Sequence, residues 1–499
     1  MVYAGANDGM LHGFDAVTGE EVFGFIPSPV FDRLPNLASQ SYSHEFYVDG
    51  SPSLGDVFYG GAWHTVLVGG LNKGGQGIYA LDITNPATTL NSAESNANNI
   101  VLWEFTDADD PDLGLTYSQP AIVKLQNDRW AAVFGNGYNN TLADGSPSTT
   151  GNAVLFIREF GTGVIHKLDT GVGIAQAPAG ITYDNGLSTP ALVDLDGDRI
   201  VEYAYAGDLY GNMWKFDLRT LDPSDPPTPL RLYEARDADD NPQPITVRPE
   251  VGRGPGGAGT IVLFGTGKYL ENSDKLLTPT RVQTFYGIVD RNTGTAADSV
   301  TGGRGSLTRQ EILLETTVDL DGAEGPLDPM DVRVTSNNTL GANSGWYLDL
   351  LSPSGYQGEK QVSNPIIRNG NVIFTTLIPD PDPCAFGGNS WIMELNLLDG
   401  SRLKTTPFDL NNDGQFTDAD HVTITVTLED GTTVDIAVPI SGLGSTEGIL
   451  QSPGVIDGEM GQGRPVQYKY LPGSSGGIQR VTENPGVSGT GRQSWRQVR

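Results

Sequence analysis

The chain has 499 residues, including 65 glycines and 32 prolines, and its formal net charge is −31. This acidity argues against nucleic acids and anionic membranes as partners, because both attract a basic surface. The single cysteine, Cys384, rules out an intramolecular disulfide and a cysteine-rich zinc site. Apolar residues occur in short runs between turn residues, which predicts many short strands and no membrane span.

The N-terminus starts inside a predicted strand, at Val2, and lacks the basic and apolar regions of a secretion signal. We therefore expect the chain to be a fragment, with any export signal upstream. From this first strand onward a unit recurs, more loosely in its second copy: an apolar strand, a Gly-rich turn, and a second strand that ends in an aromatic residue and Asp. It is found at residues 2–15, 66–82 and 203–217. Such turns are typical of tight β-hairpins.

A second recurring feature is a proline directly before an apolar run, which marks the first residue of a strand. The six prolines are Pro52, Pro120, Pro190, Pro249, Pro365 and Pro453. Small antiparallel sheets repeated at uneven intervals are the pattern of an all-β fold, a β-propeller with loop insertions.

We predict one propeller over residues 1–472. Its insertions are expected near 223–249, 272–345 and 406–444, where the sequence becomes polar or acidic. Residues 473–499 are rich in Gly and Ser and are predicted to form a C-terminal tail.

The most distinctive motif is an acidic loop at residues 194–202. Calcium binds six to eight oxygen atoms, and alternate side chains of a tight loop converge on one point. The predicted ligands, at positions 1, 3, 5, 7 and 9, are Asp194, Asp196, Asp198, the Ile200 carbonyl and Glu202. Position 6 is Arg199, where an EF-hand loop has glycine, and the glycine here is at position 4.

A second acidic loop, at residues 409–420, has glycine at position 6 as an EF-hand does. Its predicted oxygen ligands are Asp409, Asn411, Asp413, Gln415, Thr417 and Asp420. Asp420 replaces the final glutamate of the EF-hand pattern. The clusters at 107–112, 237–240 and 319–324 lack this spacing, so we expect them to be solvated loops. No HExxH motif occurs, and no catalytic residue is predicted.

Several segments together resemble one known family. They are residues 3–15, 205–217, 264–269, 377–391 and 491–496. In this order they are similar to the C-terminal propeller of the PilY/PilC family of type IV pilus biogenesis factors and tip-associated adhesins. The resemblance implies a modified seven-bladed propeller of the kind found in quinoprotein dehydrogenases.

The resemblance also implies a function. Calcium in a propeller loop would control a factor that promotes pilus extension by opposing retraction, in support of twitching motility and adhesion. The partners would be the pilus machinery, minor pilins, and host or abiotic surfaces. The location would be the cell surface, at the pilus tip or outer membrane. The family favours Gly at position 6 and Asp at position 9 of the loop, so Arg199 and Glu202 bear on its affinity.

Two other functions fit parts of the pattern. A quinoprotein dehydrogenase has similar hairpins, but its typical pair of adjacent cysteines cannot form with Cys384 alone. A general surface adhesin would use calcium only as a structural ion. The family also suggests an adhesive N-terminal region outside this chain. Some members carry an Arg-Gly-Asp motif, which this sequence lacks, so no integrin binding is predicted.

Overall fold

A computed structural model describes residues 1–85, 97–143, 145–319, 329–380, 382, 385–427, 431–460 and 464–485. Most regular elements in these ranges are strands. The predicted all-β class is therefore confirmed. The chain divides into two compact units, the first within residues 1–231 and the second from residue 232 onward.

Residues 2–234 contain one three-stranded sheet and three four-stranded sheets, each built from consecutive strands. In chain order the strands are β1 (Val2–Gly5), β2 (Leu11–Phe14), β3 (Glu21–Phe25); β4 (Ser53–Tyr59), β5 (Ala62–Gly70), β6 (Gly77–Asp82), β7 (Val101–Thr106); β8 (Ala121–Lys124), β9 (Trp130–Gly135), β10 (Val154–Glu159), β11 (Ile165–Asp169); and β12 (Ala191–Val193), β13 (Tyr203–Gly207), β14 (Asn212–Asp217), β15 (Leu230–Glu234).

The second unit contains larger sheets with inserted strands. The strands are β16 (Glu250–Arg253), β17 (Thr260–Gly265), β18 (Thr284–Asp290), β19 (Thr308–Gln310), β20 (Ile312–Val318), β21 (Met330–Thr335), β22 (Gly345–Asp349), β23 (Ile366–Arg368), β24 (Asn371–Thr375), β25 (Ile378–Pro379), β26 (Gly388–Asn389), β27 (Trp391–Asn396), β28 (His421–Thr427), β29 (Thr433–Pro439), β30 (Gly442–Gly444), β31 (Gly454–Met460), β32 (Arg464–Pro472) and β33 (Ile478–Glu483). They form sheets β16-β17-β18-β22-β19, β20-β21-β30-β27-β24-β23 and β31-β32-β33, and hairpins β25-β26 and β28-β29.

Helical structure is minor in the described ranges. It comprises helix α1 (Ala97–Ile100) and 3-10 helices at Ser28–Ala38, Asn72–Gly74, Ile174–Gln176, Pro255–Gly257, Asn272–Lys275, Ala296–Asp298, Gly303–Ser306 and Asp418–Asp420. None of the helices described is long and apolar enough to span a bilayer.

The six prolines predicted to mark strand starts do so. Each directly precedes the first residue of β4, β8, β12, β16, β23 or β31. Each of these strands lies at the edge of its sheet. A proline beside an edge strand removes no hydrogen bond from the interior of the ladder, so the local sequence and the sheet order agree.

The recurring Asp at the end of the second hairpin strand closes the following turn. Asp15 accepts the Val17 N–H at 2.8 Å, Asp82 accepts the Thr84 N–H at 2.9 Å, and Asp217 accepts the Arg219 N–H at 3.0 Å. An Asp side chain that bonds the backbone two residues on stabilises a turn, which explains why the repeat ends in this residue.

The core of the first unit lies between consecutive sheets. Val66 and Ile78 of one sheet pack with Phe134 of the next. Leu155 of that next sheet packs in turn with Phe216 of the following one. Hairpins at the same end of successive sheets therefore lie side by side, which places the site described below.

Two predicted segment assignments differ in detail from the structure. The segment 272–345 was expected to be an insertion, but it supplies β18 and β22 to one sheet and β21 to another. Its apolar stretches, such as Thr284–Asp290, are buried despite the polar sequence around them. Residues 478–483 of the predicted tail form β33, which pairs with β32. Residues 486–499 lie outside the described ranges, and the number of propeller blades stays a prediction.

Candidate metal centre

The loop 194–202 connects β12 to β13 and is held by its own first side chain. The Asp194 carboxylate accepts the Gly197 N–H at 2.6 Å and the Arg199 N–H at 3.0 Å. Gly197 and Arg199 have left-handed φ values of 86° and 73°. These two positive φ values turn the chain tightly, and they bring alternate side chains to the same side of the loop.

The remaining acidic side chains extend this arrangement. Asp196 accepts the Asp198 N–H at 3.1 Å, and Asp198 accepts the Ile200 N–H at 2.7 Å. Glu202 closes the loop by accepting the Leu195 N–H at 2.7 Å through Oε2. Asp196, Asp198 and Glu202 each use one oxygen to order the backbone of the loop, and Asp194 uses both, so the direction of each carboxylate is fixed.

The result is a convergence of four carboxyl groups. One ligand atom from each of Asp194, Asp196, Asp198 and Glu202 lies within 4.8 Å of every other. Among the residues that the structure describes, no other group of three or more Asp, Glu, His or Cys side chains has its ligand atoms this close together. Four of the five predicted ligands are therefore brought together, and the Ile200 carbonyl stays a prediction.

The electrostatics of this cluster favour a cation. Burial raises the pKa of Glu202, and the nearby charges of Asp196, Asp194 and Asp198 raise it further. Like charges this close repel one another strongly unless a positive charge lies between them. The donor set consists of carboxylate oxygens, which suit a hard divalent ion such as Ca²⁺ better than a soft one.

Arg199 occupies the position where the backbone is strained. A non-glycine residue in the left-handed region is uncommon, and for most side chains it costs about 1–2 kcal/mol. The sequence identified Arg199 as irregular from the loop pattern alone. The structure gives the physical reason, because its φ is 73°.

The loop also contacts the neighbouring β8–β9 hairpin, which the sequence did not predict. The Val201 N–H donates to the Lys124 carbonyl at 3.1 Å. The Gln126 amide donates to Glu202 Oε1 at 3.5 Å. No local signal in the sequence marks Gln126, because the contact depends on how two sheets pack.

The second predicted loop, 409–420, adopts a similar backbone. Asp409 accepts the Asp413 N–H at 3.1 Å and the Gly414 N–H at 2.8 Å. Asn412 and Gly414, at positions 4 and 6, have φ values of 55° and 71°. Burial raises the pKa of Asp409, and the charges of Asp420 and Asp413 add to this shift.

The side chains of the second loop are arranged differently. Asp420 is fully buried and accepts the Leu410 N–H at 2.8 Å and the Thr417 N–H at 2.9 Å. Asn411 and Gln415 donate side-chain amide N–H groups to Asp413 at 3.2 and 3.4 Å. Among the described residues, the carboxyl groups of this loop do not form a cluster like that of the first loop.

The weaker acidic clusters have structural partners. Asp112 is buried and bonds Lys167 at 2.7 Å, and Asp237 is buried and accepts two Asn241 side-chain N–H contacts at 2.9 and 3.1 Å. The expectation of solvated loops was therefore wrong for these two residues, because their neighbours offer donors. The cluster at 319–324 lies mostly outside the described ranges.

Comparisons with known proteins agree with the family resemblance of the sequence. Residues 1–321 match the family described as the PilY1 beta-propeller domain. Type IV pilus biogenesis factor PilY1 of Pseudomonas aeruginosa strain PAO1 is 37% identical over 529 residues, covering 100% of this chain and 41% of that protein. A PilY1 homolog of Xylella fastidiosa strain Temecula1 is 39% identical over 415 residues, covering 80% of this chain and 26% of that protein.

A solved structure is also similar. The crystal structure of the Pseudomonas aeruginosa PilY1 C-terminal domain matches with a TM-score of 0.72 and 35% sequence identity. The match covers 97% of this chain and 92% of that one. This chain spans 41% of the length of the P. aeruginosa relative, so most of that protein lies outside the comparison.

Proposed function

This chain belongs to the family of PilY1 β-propeller domains, and from that membership we propose that it is the calcium-binding part of a type IV pilus biogenesis factor. One observation carries the calcium half of the proposal: four carboxyl groups of one loop converge within 4.8 Å. Asp194, Asp196, Asp198 and Glu202 would hold the ion, together with the Ile200 carbonyl. Bound calcium supplies positive charge that cancels the repulsion among these groups.

The proposed mechanism is local. Without the ion, the repulsion between carboxylates favours open arrangements of the loop. With the ion, the loop is held in the tight turn described above, and the surface beside it carries less negative charge. A ligand that binds one arrangement more tightly shifts the population toward it.

We further propose that this occupancy controls pilus extension by opposing retraction, with the pilus machinery and minor pilins as partners at the cell surface. The names of the relatives support this part, because each is a type IV pilus biogenesis factor or its homolog. The same names favour a non-enzymatic role. The second loop is proposed as a weaker calcium site, because its closing carboxylate already binds backbone N–H groups.

Calorimetry tests the calcium site directly. Calcium is titrated into the chelator-treated 499-residue chain and into its Asp196→Ala variant. The expected result is a loss of affinity of at least about 100-fold, ~2.8 kcal/mol, because a converging carboxylate ligand is removed. Asp128→Asn, which removes an exposed carboxylate on the neighbouring hairpin, is the matched control and should bind normally.

Equal calcium binding by wild type and Asp196→Ala would exclude the first loop as the main site. The role in retraction is tested separately, in cells that carry the same substitutions in the full-length gene. If Asp196→Ala abolishes calcium binding but leaves pilus extension and twitching unchanged, calcium is only a structural ion. Reduction of a dye in the presence of a quinone cofactor and an alcohol would instead indicate a dehydrogenase.

A further inference from the structure

An exposed row of aromatic side chains lies on the hairpins that precede the metal loop. Phe58 and Trp63 are directly opposite each other on β4 and β5, and they are 45% and 60% exposed. Their ring centroids are 5.5 Å apart, and Trp63 contacts half-buried Trp130 of β9 at 5.9 Å. We call Phe58, Trp63 and Trp130 the aromatic row.

The tip of this hairpin holds the rings of Phe58 and Trp63 at the surface. Strands β4 and β5 are joined by Gly60 and Gly61, whose φ values are 60° and 86°. Two positive φ values in a two-residue turn give a tight hairpin that follows the strand twist. Contiguous exposed aromatic side chains, rimmed by polar groups, mark interaction surfaces in soluble proteins.

The aromatic row is connected to the metal loop through one strand pair. Trp130 is paired with Lys124 across β8 and β9. The Lys124 carbonyl accepts the Val201 N–H, and Gln126 of the same turn contacts Glu202. The aromatic row and the metal loop therefore lie on adjoining hairpins of three successive sheets. Residues 124–130 contact both of them.

The charges of this region indicate the chemistry of a partner. Residues 56–65, 124–130 and 194–202 contain six carboxylates and three Lys or Arg side chains, a net charge of −3 with histidine neutral. Lys124 and Arg129 already pair with Asp128 and Glu159. A partner with positive charges beside an apolar residue would match both features, because cations also bind the faces of Trp rings.

The geometry favours a polypeptide over a sugar. The interplanar angles within the row are 64° and 68°, so the rings meet edge to face. A pyranose ring stacks best on a broad flat surface, whereas side chains of a peptide fit between inclined rings. Tyr, Trp and Arg dominate the energetics of protein interfaces of this kind.

We propose that the aromatic row and the adjoining metal loop form a docking surface for a polypeptide segment in which Lys or Arg flanks an apolar residue. Its regulation rests on the function proposed above. One bound Ca²⁺ changes the net charge of the three segments from −3 to −1. The metal-free chain should therefore bind the cationic segment more tightly, by about fivefold at an ionic strength of about 0.1 M, where charges are screened over about 10 Å.

The test uses a displayed library of random 12-residue peptides, selected on the 499-residue chain in chelator. The expected peptides carry two or more Lys or Arg residues around an aromatic or aliphatic one. A selected peptide should bind at least about tenfold more weakly to Trp63→Ala and to Phe58→Ala. Phe31→Ala, which removes another exposed aromatic side chain of the same unit, should not change binding.

Several results would overturn the proposal. The first is that no peptide is enriched, and the second is that acidic peptides are enriched. The third is that Trp63→Ala binds the selected peptide as wild type does but has a lower melting temperature. That result would mean that the aromatic pair only stabilises its hairpin. Trp63-dependent binding to an oligosaccharide array would assign the row to sugars. Trp63-dependent dimerisation in sedimentation would assign it to a second copy.

Calcium calorimetry on the same variants separates this proposal from the previous one. Trp63→Ala should bind calcium as wild type does, because it lies outside the loop. If calcium binds normally and no peptide is selected, the docking surface fails and the metal site stands. If calcium does not bind but a basic peptide is selected through Trp63, the metal site fails and the docking surface stands without its regulation.

Discussion

The two acidic loops share a backbone but differ in what their carboxylates do. Both begin with an Asp that accepts the N–H of position 6, and both have left-handed residues at positions 4 and 6. Both close with an acid that accepts the N–H of position 2. In the first loop four carboxyl groups converge, whereas in the second loop the buried Asp420 is occupied by backbone N–H groups.

This difference teaches that an ion-binding spacing does not by itself assemble a site. The second loop is nearer to the EF-hand pattern, yet only three of its six predicted ligands are acids, and its closing side chain is shorter. Position 3 is Asn411 in place of a carboxylate, and its amide bonds Asp413. The first loop departs from the pattern at Arg199 but keeps four acids directed at one point.

The largest expected effect separates the closing residues of the two loops. Asp420→Ala leaves buried N–H groups without acceptors, so the free energy of unfolding should fall by ~3 kcal/mol. The loss should be similar in calcium and in chelator. Glu202→Ala removes one backbone bond, so its loss in chelator should be ~1 kcal/mol, with a larger loss in calcium. Urea unfolding in calcium and in chelator measures these losses of stability. If the loss depends on calcium equally in the two variants, the two closing residues do not differ in their role.

A reciprocal exchange at position 3 tests the role of charge. Asp196→Asn should weaken calcium binding by about tenfold, ~1.4 kcal/mol, because a neutral amide replaces a carboxylate. Asn411→Asp should strengthen binding to the second loop by a similar factor. Calorimetry in the Asp196→Ala background isolates the second loop. If Asn411→Asp leaves that weak binding unchanged, the second loop is not a calcium site.

Position 6 tests the backbone. Arg199→Gly should stabilise the chain by ~1 kcal/mol, because glycine adopts a positive φ without strain. It should also tighten calcium binding, since a positive charge beside the ion is removed. Gly414→Arg should have the opposite effect on stability. Arg199→Lys, which keeps the charge and the side-chain bulk, is the matched control and should resemble wild type in both measurements.

The smallest expected effect is on pH dependence without metal. The pKa of Glu202 is raised, mainly by burial, above its usual value of 4.5. Its favourable contribution should be fully present below pH 4.5 and lost as the pH rises through the raised native pKa. Urea unfolding in chelator should show this loss in wild type and not in Glu202→Gln. Saturating calcium should offset it, and a loss that calcium leaves unchanged would argue against an ion at Glu202.

Much of the fold could be predicted because its signals are local. Proline before a strand depends on one or two residues of backbone, and that prediction is confirmed. The Asp that ends the repeated hairpin is a local signal too, because it bonds an N–H two residues on. The family suggested by the hairpin segments is confirmed as well, and with it the β-propeller fold class. The loop at 194–202 was predicted from its spacing, because its four acids alternate along a single tight turn.

Only the tertiary structure decided how such signals combine. Asp420 became a buried backbone acceptor because its loop packs against the core, which its spacing could not indicate. Gln126 reached Glu202, and Trp130 reached Trp63, because successive sheets pack face to face and bring distant hairpins together. Sequence patterns report the conformation of a few neighbouring residues, whereas burial and contacts between sheets depend on the whole chain. The sequence therefore determined the loops, and packing determined what adjoins each of them.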